Sequence, residues 1–132
     1  MTILIDASAI VAILTREHEA HDLGLEIQRH PERLCCSLGV WEATLAIARK
    51  RTVLTVTARQ AVERLRNVFD IGVAAIGEQE ALLAIEAHAR YGKGTGHPAR
   101  LNMGDCFAYA CARTNNARLL YKGDDFAHTD LA

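Results

Sequence analysis

Proline is almost missing from this chain: only Pro31 and Pro98 occur, while half of the 132 residues are hydrophobic. That composition excludes a disordered or linker-rich protein and fits one compact domain over residues 1–132. Cysteine occurs four times, as Cys35, Cys36, Cys106 and Cys111, but no two stand in C-x-x-C spacing. A zinc ribbon is therefore not expected, and buried free thiols in a reducing compartment are. An excess of basic charge is lacking too, since 15 Lys and Arg stand against 16 Asp and Glu for a net charge of −1. Bulk charge does not mark a nucleic-acid binder, so any such surface has to be a local patch. No long apolar run is present. The opening MTILIDASAIVAIL is broken by Asp6 and has no basic segment before it. It reads as neither signal peptide nor membrane span, and a cytoplasmic protein with no membrane partner is expected. There is no Walker pattern and no G-x-S-x-G elbow, so Ser8 has no motif that would make it a nucleophile. His18 and His21, in H-E-A-H, are one residue short of a zinc-binding H-E-x-x-H and read as surface histidines.

What is present is an alternation of short apolar runs with helical patterns. Residues 2–5 read as a buried strand, 7–15 as a helix, and 17–29 as a second helix stopped before Pro31. Residues 34–37 read as a strand and 38–51 as a helix whose apolar stripe is Leu38, Trp41, Leu45 and Ala48. Residues 57–70 read as a helix with Thr57 as N-cap, 72–76 as a strand, and 78–91 as a helix. The stretch 92–101, with three glycines and Pro98, reads as a loop. Residues 102–114 form a helix opened by Asn102, and 117–121 a fourth strand before a Gly-Asp-Asp turn. Strands alternating with helices predict an α/β fold with a parallel sheet covered on both faces.

In such a sheet, ligands bind beyond the carboxyl ends of the strands, and four acids stand at informative places. Asp6 follows the first strand. Glu42 lies in the first turns of the helix after the second strand, and Asp105 in the first turn of a late helix. Asp124, or its neighbour Asp125, follows the last strand. Each has an ordinary structural explanation: a helix cap, a first-turn acid that suits the helix dipole, or a turn residue beside Gly123. Glu42 is the hardest to explain that way. Its helical neighbours Leu38, Gly39, Leu45 and Ala46 include no cation. A carboxylate in so apolar a setting costs several kcal/mol unless a metal ion or a protonated acid compensates it. Mg²⁺, which takes oxygen ligands and retains waters, suits a set of converging carboxylates.

The motifs around these acids resemble those of the PIN-domain ribonucleases, and within them the VapC toxins of bacterial toxin–antitoxin pairs. Ile-Leu-Ile-Asp6-Ala-Ser8-Ala is similar to the PIN-domain opening, and Trp41-Glu42 to its second acidic motif. Leu101-Asn102-Met103-Gly104-Asp105-Cys106-Phe107 is similar to the third motif, and residues 119–126 with Thr129-Asp130 to the terminal one. The Tyr91-Gly-Lys-Gly stretch before Pro98 also looks like a VapC subgroup. The resemblance implies a single PIN-like domain, with a parallel sheet of four or five strands flanked by helices. It implies Mg²⁺ or Mn²⁺ dependence, cleavage of structured RNA such as tRNA, and inhibition by a VapB-like antitoxin. It also implies a homodimer that forms a heterotetramer or larger assembly with the antitoxin. Carried over residue by residue, it makes Asp6 and Asp105 the metal ligands, Glu42 their acidic partner and Asp124 the last catalytic acid, with Ser8, Asn102 and Asp125 in support.

Arg90, Lys93 and Arg100 flank the glycine loop and are candidate RNA contacts. His97, in that loop, is a lesser candidate. Arg49, Lys50 and Arg51 read as helix-end cations on a solvated face. Three rivals fit less well. A signalling receiver needs an aspartate after a central strand, where this chain has Ile76-Gly77-Glu78. A haloacid-dehalogenase phosphatase needs D-x-D where it has Asp6-Ala7-Ser8. A catalytically degenerate PIN-fold interaction module would not need the full acidic set.

Overall fold

Thr-Ile-Leu-Ile of the first strand, β1 (Thr2–Ile5), runs through the middle of the molecule, with Ile3, Leu4 and Ile5 wholly buried. Strands covered on both faces read as continuous apolar runs, which is why this segment shows no polar alternation. The computed structural model describes residues 1–132. After β1 come α1 (Ala7–Leu14), α2 (Ala20–Gln28), β2 (Glu32–Cys36), α3 (Ser37–Arg51), α4 (Thr55–Phe69) and β3 (Gly72–Ala74). The chain ends with α5 (Glu78–Tyr91), α6 (Met103–Thr114) and β4 (Arg118–Leu120). All strand pairs are parallel, and the sheet order is β3-β2-β1-β4. The four-stranded sheet with helices on both faces is the α/β architecture expected.

Successive strand residues point to opposite faces, and two cores follow. Leu4 and Cys36 pack with α5, α6 and Phe126, whereas Ile5 and Cys35 pack with α1 to α4. Each large apolar side chain removed from water in these layers contributes about 1.5–3 kcal/mol. All four cysteines are free and buried. No helix is long and apolar enough to cross a membrane.

Three elements differ from expectation. α2 begins at Ala20, not at residue 17, because Arg16 takes a left-handed φ of 56°. Glu17 is thereby left outside the helix, where it pairs with lysines. α4 begins at Thr55, so Thr57 lies inside it and Leu54 is an N-cap without a side-chain hydrogen bond. Docking of Ala58, Val62 and Leu65 on the core sets this helix, and packing outweighs a cap worth about 1 kcal/mol. In α3 the buried face is Gly39, Ala43, Thr44 and Ile47, not the Leu38–Trp41–Leu45–Ala48 stripe. Small residues let α3 approach the start of α1 closely: the position of a Cβ on Gly39 is 4.0 Å from the Ala7 nitrogen. Trp41 is consequently turned outward and is 57% exposed.

Candidate active site

β1 lies between β2 and β4, so the chain reverses direction across the sheet beside β1, and a crevice opens at the carboxyl ends of the strands there. Asp6 stands at that point. Its backbone N–H donates to the Leu120 carbonyl at 2.9 Å, fastening the end of β1 to β4. Its carboxylate caps α1, accepting from the Ser8 N–H at 3.0 Å and the Ser8 hydroxyl at 2.6 Å. The Ser8 hydroxyl oxygen in turn accepts from the Lys122 N–H at 2.9 Å, joining the starts of α1 and of the C-terminal turn. Asp105 is held by a reciprocal capping box. Its N–H donates to Asn102 Oδ1 at 2.9 Å, and its Oδ2 accepts the Asn102 N–H at 3.1 Å. Capping and site placement thus coincide for both aspartates.

Glu42 comes from α3 and is half-buried. The residue that makes room for it is Gly104 in the first turn of α6, where any Cβ would overlap the Glu42 carboxylate. Gly104→Ala should therefore make the Glu42 carboxylate swing aside, and because those atoms are the free end of a flexible side chain the cost in stability should stay within about 1 kcal/mol. Alanine's helix propensity, worth at most about 1 kcal/mol, works the other way. A urea titration should find nearly the wild-type midpoint at unchanged slope. A loss of about 3 kcal/mol would show instead that Glu42 is locked in place. The motif Asn102-Met103-Gly104-Asp105 carried this glycine in plain view, but nothing local to it signals a partner on α3.

Asp6, Glu42, Asp105 and Asp125 line one open cleft of about 540 Å³, together with Ser8 and Asn102. Asp125, not Asp124, is the C-terminal acid in this cleft, and its carboxyl meets that of Asp105. Asp124 lines an adjoining depression of about 360 Å³, which shares Asn102, Asp105 and Asp125 with the cleft. Burial pushes the Asp6 carboxyl up, against the pull of its Ser8 hydrogen bonds, and the Asp125 charge adds to the rise. Burial and then the Asp6 charge raise Glu42. Asp105 is pushed up to about 7, by burial first and then by Asp6 and Asp125, while the Asn102 N–H works the other way.

Cations also reach the cleft. Lys122, Lys50 and Arg49 line it. Lys122 Nζ pairs with Glu17 at 2.9 Å and Glu19 at 3.4 Å, and Lys50 Nζ lies 3.6 Å from Glu17. Arg49 and Lys50 were read from the sequence as a solvated helix end. They stand seven and eight residues after Glu42, two helical turns along nearly the same face, and that spacing was the available signal. Lys93 and Arg100 line the neighbouring depression with Asp124, Asp125 and His128. Arg90 does not reach either hollow: its guanidinium stacks 4.7 Å over Tyr91 and lies 3.8 Å from Asp130. His97 is half-buried, packing edge-on against Tyr91 and accepting the Ala99 N–H at 3.1 Å. His30 is buried, with Nδ1 3.0 Å from the Glu26 carbonyl oxygen.

The donors are all carboxylate oxygens, three of which raise one another's pKa or are raised by burial, and a hard divalent cation fits such a set. The acids stand in an open arrangement, with no group of three gathered as a ligand cage.

The PIN domain family matches residues 3–131. The chain belongs to the PIN-domain family. A VapC ribonuclease of Rhizobium meliloti is 38% identical to this PIN domain, over 96% of this chain and 97% of the relative. The ribonuclease VapC42 of Mycobacterium tuberculosis is also 38% identical, over 97% of this chain and 95% of its own. Among solved structures, a chain of a toxin–antitoxin complex from Klebsiella pneumoniae superposes with a TM-score of 0.68 at 17% identity. It covers 98% of this chain and 93% of its own, a likeness of fold.

Proposed function

We propose that this PIN domain is a metal-dependent ribonuclease toxin of the VapC type that hydrolyses phosphodiester bonds in structured RNA such as tRNA. The observation that carries the reading is the convergence of Asp6, Glu42, Asp105 and Asp125, from four separate elements, on one open cleft. The names of the full-length relatives agree with it.

In this reading Asp6 and Asp105 hold the metal. Ser8 fixes the Asp6 carboxylate and Asn102 fixes that of Asp105. Bound Mg²⁺ or Mn²⁺ supplies positive charge against the phosphodiester and acidifies water. Glu42, raised by burial, accepts a proton from the attacking water as the new P–O bond forms and the bond to the leaving oxygen breaks, and that oxygen takes up a proton from solvent in the open cleft. Asp125 completes the acidic set in the place first given to Asp124. Lys122, Lys93 and Arg100 contact flanking phosphates, whereas Arg90 braces the C-terminal turn. A VapB-like antitoxin is the proposed inhibitor, and a homodimer, with a heterotetramer or larger complex with antitoxin, is the proposed assembly in the cytoplasm. Exposed Leu82 and Ile85 on α5 and Met103 on α6 are apolar surface of the kind a protein partner covers.

The test is incubation of the purified chain with total cellular RNA and Mg²⁺ or Mn²⁺, with cleavage ends mapped and with EDTA and Asp6→Asn controls. Discrete ends that vanish in both controls are expected. A chain that binds RNA or antitoxin but cuts nothing would be the non-catalytic interaction module instead.

A further inference from the structure

α3 sends two parallel rows of side chains into the cleft. Trp41, Leu45 and Arg49 form one, at four-residue spacing, and Glu42, Ala46 and Lys50 form the other, and all six line the cleft. Trp41 is the only tryptophan in the chain. Tryptophan is highly buried on average, yet this one is 57% exposed, one residue from Glu42. The other aromatic ring of the cleft, Phe126, is 1% exposed and has no free face. Arg49 makes no ion pair. It stands about 12 Å along the helix axis from Trp41. One helix face thus presents an uncovered indole, then a free guanidinium, beside the carboxylates.

We infer that Trp41 is a stacking platform for an unpaired RNA base next to the scissile phosphate, with Arg49 holding a phosphate of the same strand. This rests on the ribonuclease reading above. An aromatic face accepts any base but only one whose own face is free, so the platform favours a loop or single strand over a duplex. Charge decides between occupants. Lys50 and Lys122 are already held by Glu17 and Glu19, but Arg49 has no partner; a polyanion would supply one, whereas an apolar protein surface would leave it uncompensated.

Because Trp41 is the only tryptophan, its emission reports on this one site. The wild-type chain in EDTA is titrated with a fluorescein-labelled RNA hairpin and with a loop-less duplex of the same length, and binding is followed by anisotropy. Saturable quenching of tryptophan emission by the hairpin, and much weaker quenching by the duplex, are expected. Trp41→Ala should bind the hairpin about tenfold more weakly or worse. Trp41→Phe should recover most of that, and both variants should melt like wild type. With metal, the Trp41→Ala defect should lie mainly in KM. If wild type binds the hairpin with unchanged emission, and Trp41→Ala binds it equally well, the platform is overturned while the ribonuclease stands. If Trp41→Ala instead loses self-association or antitoxin binding with RNA affinity intact, the ring belongs to a protein interface and the inference fails. If wild type neither binds nor cuts RNA, the ribonuclease reading falls and this one with it.

Discussion

Asp105→Asn should eliminate measurable RNA cleavage, by about a thousandfold or more, while yielding a folded protein. The substitution keeps the side chain's size, and the amide oxygen can still accept the Asn102 N–H that now reaches Asp105 Oδ2 at 3.1 Å. What it removes is a charge that the folded protein holds at a cost. Asp105 titrates at about 7, against an ordinary 3.8, because it is buried beside Asp6 and Asp125. In EDTA the folded chain therefore keeps a proton that the unfolded chain has already released. Stability from this group is fully present below about pH 4 and is lost as pH rises through about 7. The metal-free wild type should accordingly melt several degrees lower near pH 8 than near pH 5, and Asp105→Asn should flatten that dependence. Adding Mn²⁺ at neutral pH should raise the melting temperature of wild type far more than that of the variant. Calorimetric Mn²⁺ titrations finding equal affinities would remove Asp105 from the metal site.

Glu42→Gln should lower single-turnover cleavage at saturating Mg²⁺ by about a hundredfold or more, with little change in fold. A surface glutamate would behave differently: stability would move by less than about 0.5 kcal/mol and activity would be untouched. Glu42 is not in that class, since it is half-buried, its carboxylate lies against Gly104, and both burial and the Asp6 charge raise its pKa. Removing the charge relieves repulsion in the cluster, so the metal-free variant should melt at or above the wild-type temperature. Thermal melting in EDTA paired with the cleavage rate separates the two effects. A well-folded Glu42→Gln protein of full activity would take Glu42 out of the chemistry.

The sequence by itself determined whatever is settled by near neighbours along the chain. β1 and α5 lie at the residues read for them, because a doubly buried strand is continuously apolar and a helix repeats its apolar positions. Asp6 with Ser8 and Asn102 with Asp105 are contacts over two and three residues. Their geometry is a property of a local helix start, so it was legible before any fold was known. The tertiary structure alone decided which distant groups meet. Ser8 and Lys122 are 114 residues apart, and only the β1–β4 pairing brings them together. Asp124 and Asp125 are adjacent in one turn, and only the fold places Asp125 on the cleft and on the depression beside it, and Asp124 on that depression alone. α3 has two faces with apolar residues, and the sequence cannot rank them, because close approach to α1 favours the smaller side chains and not the more hydrophobic ones. That choice buries Gly39 and Ala43, turns Trp41 to the solvent beside Glu42, and brings Arg49 and Lys50 to the cleft.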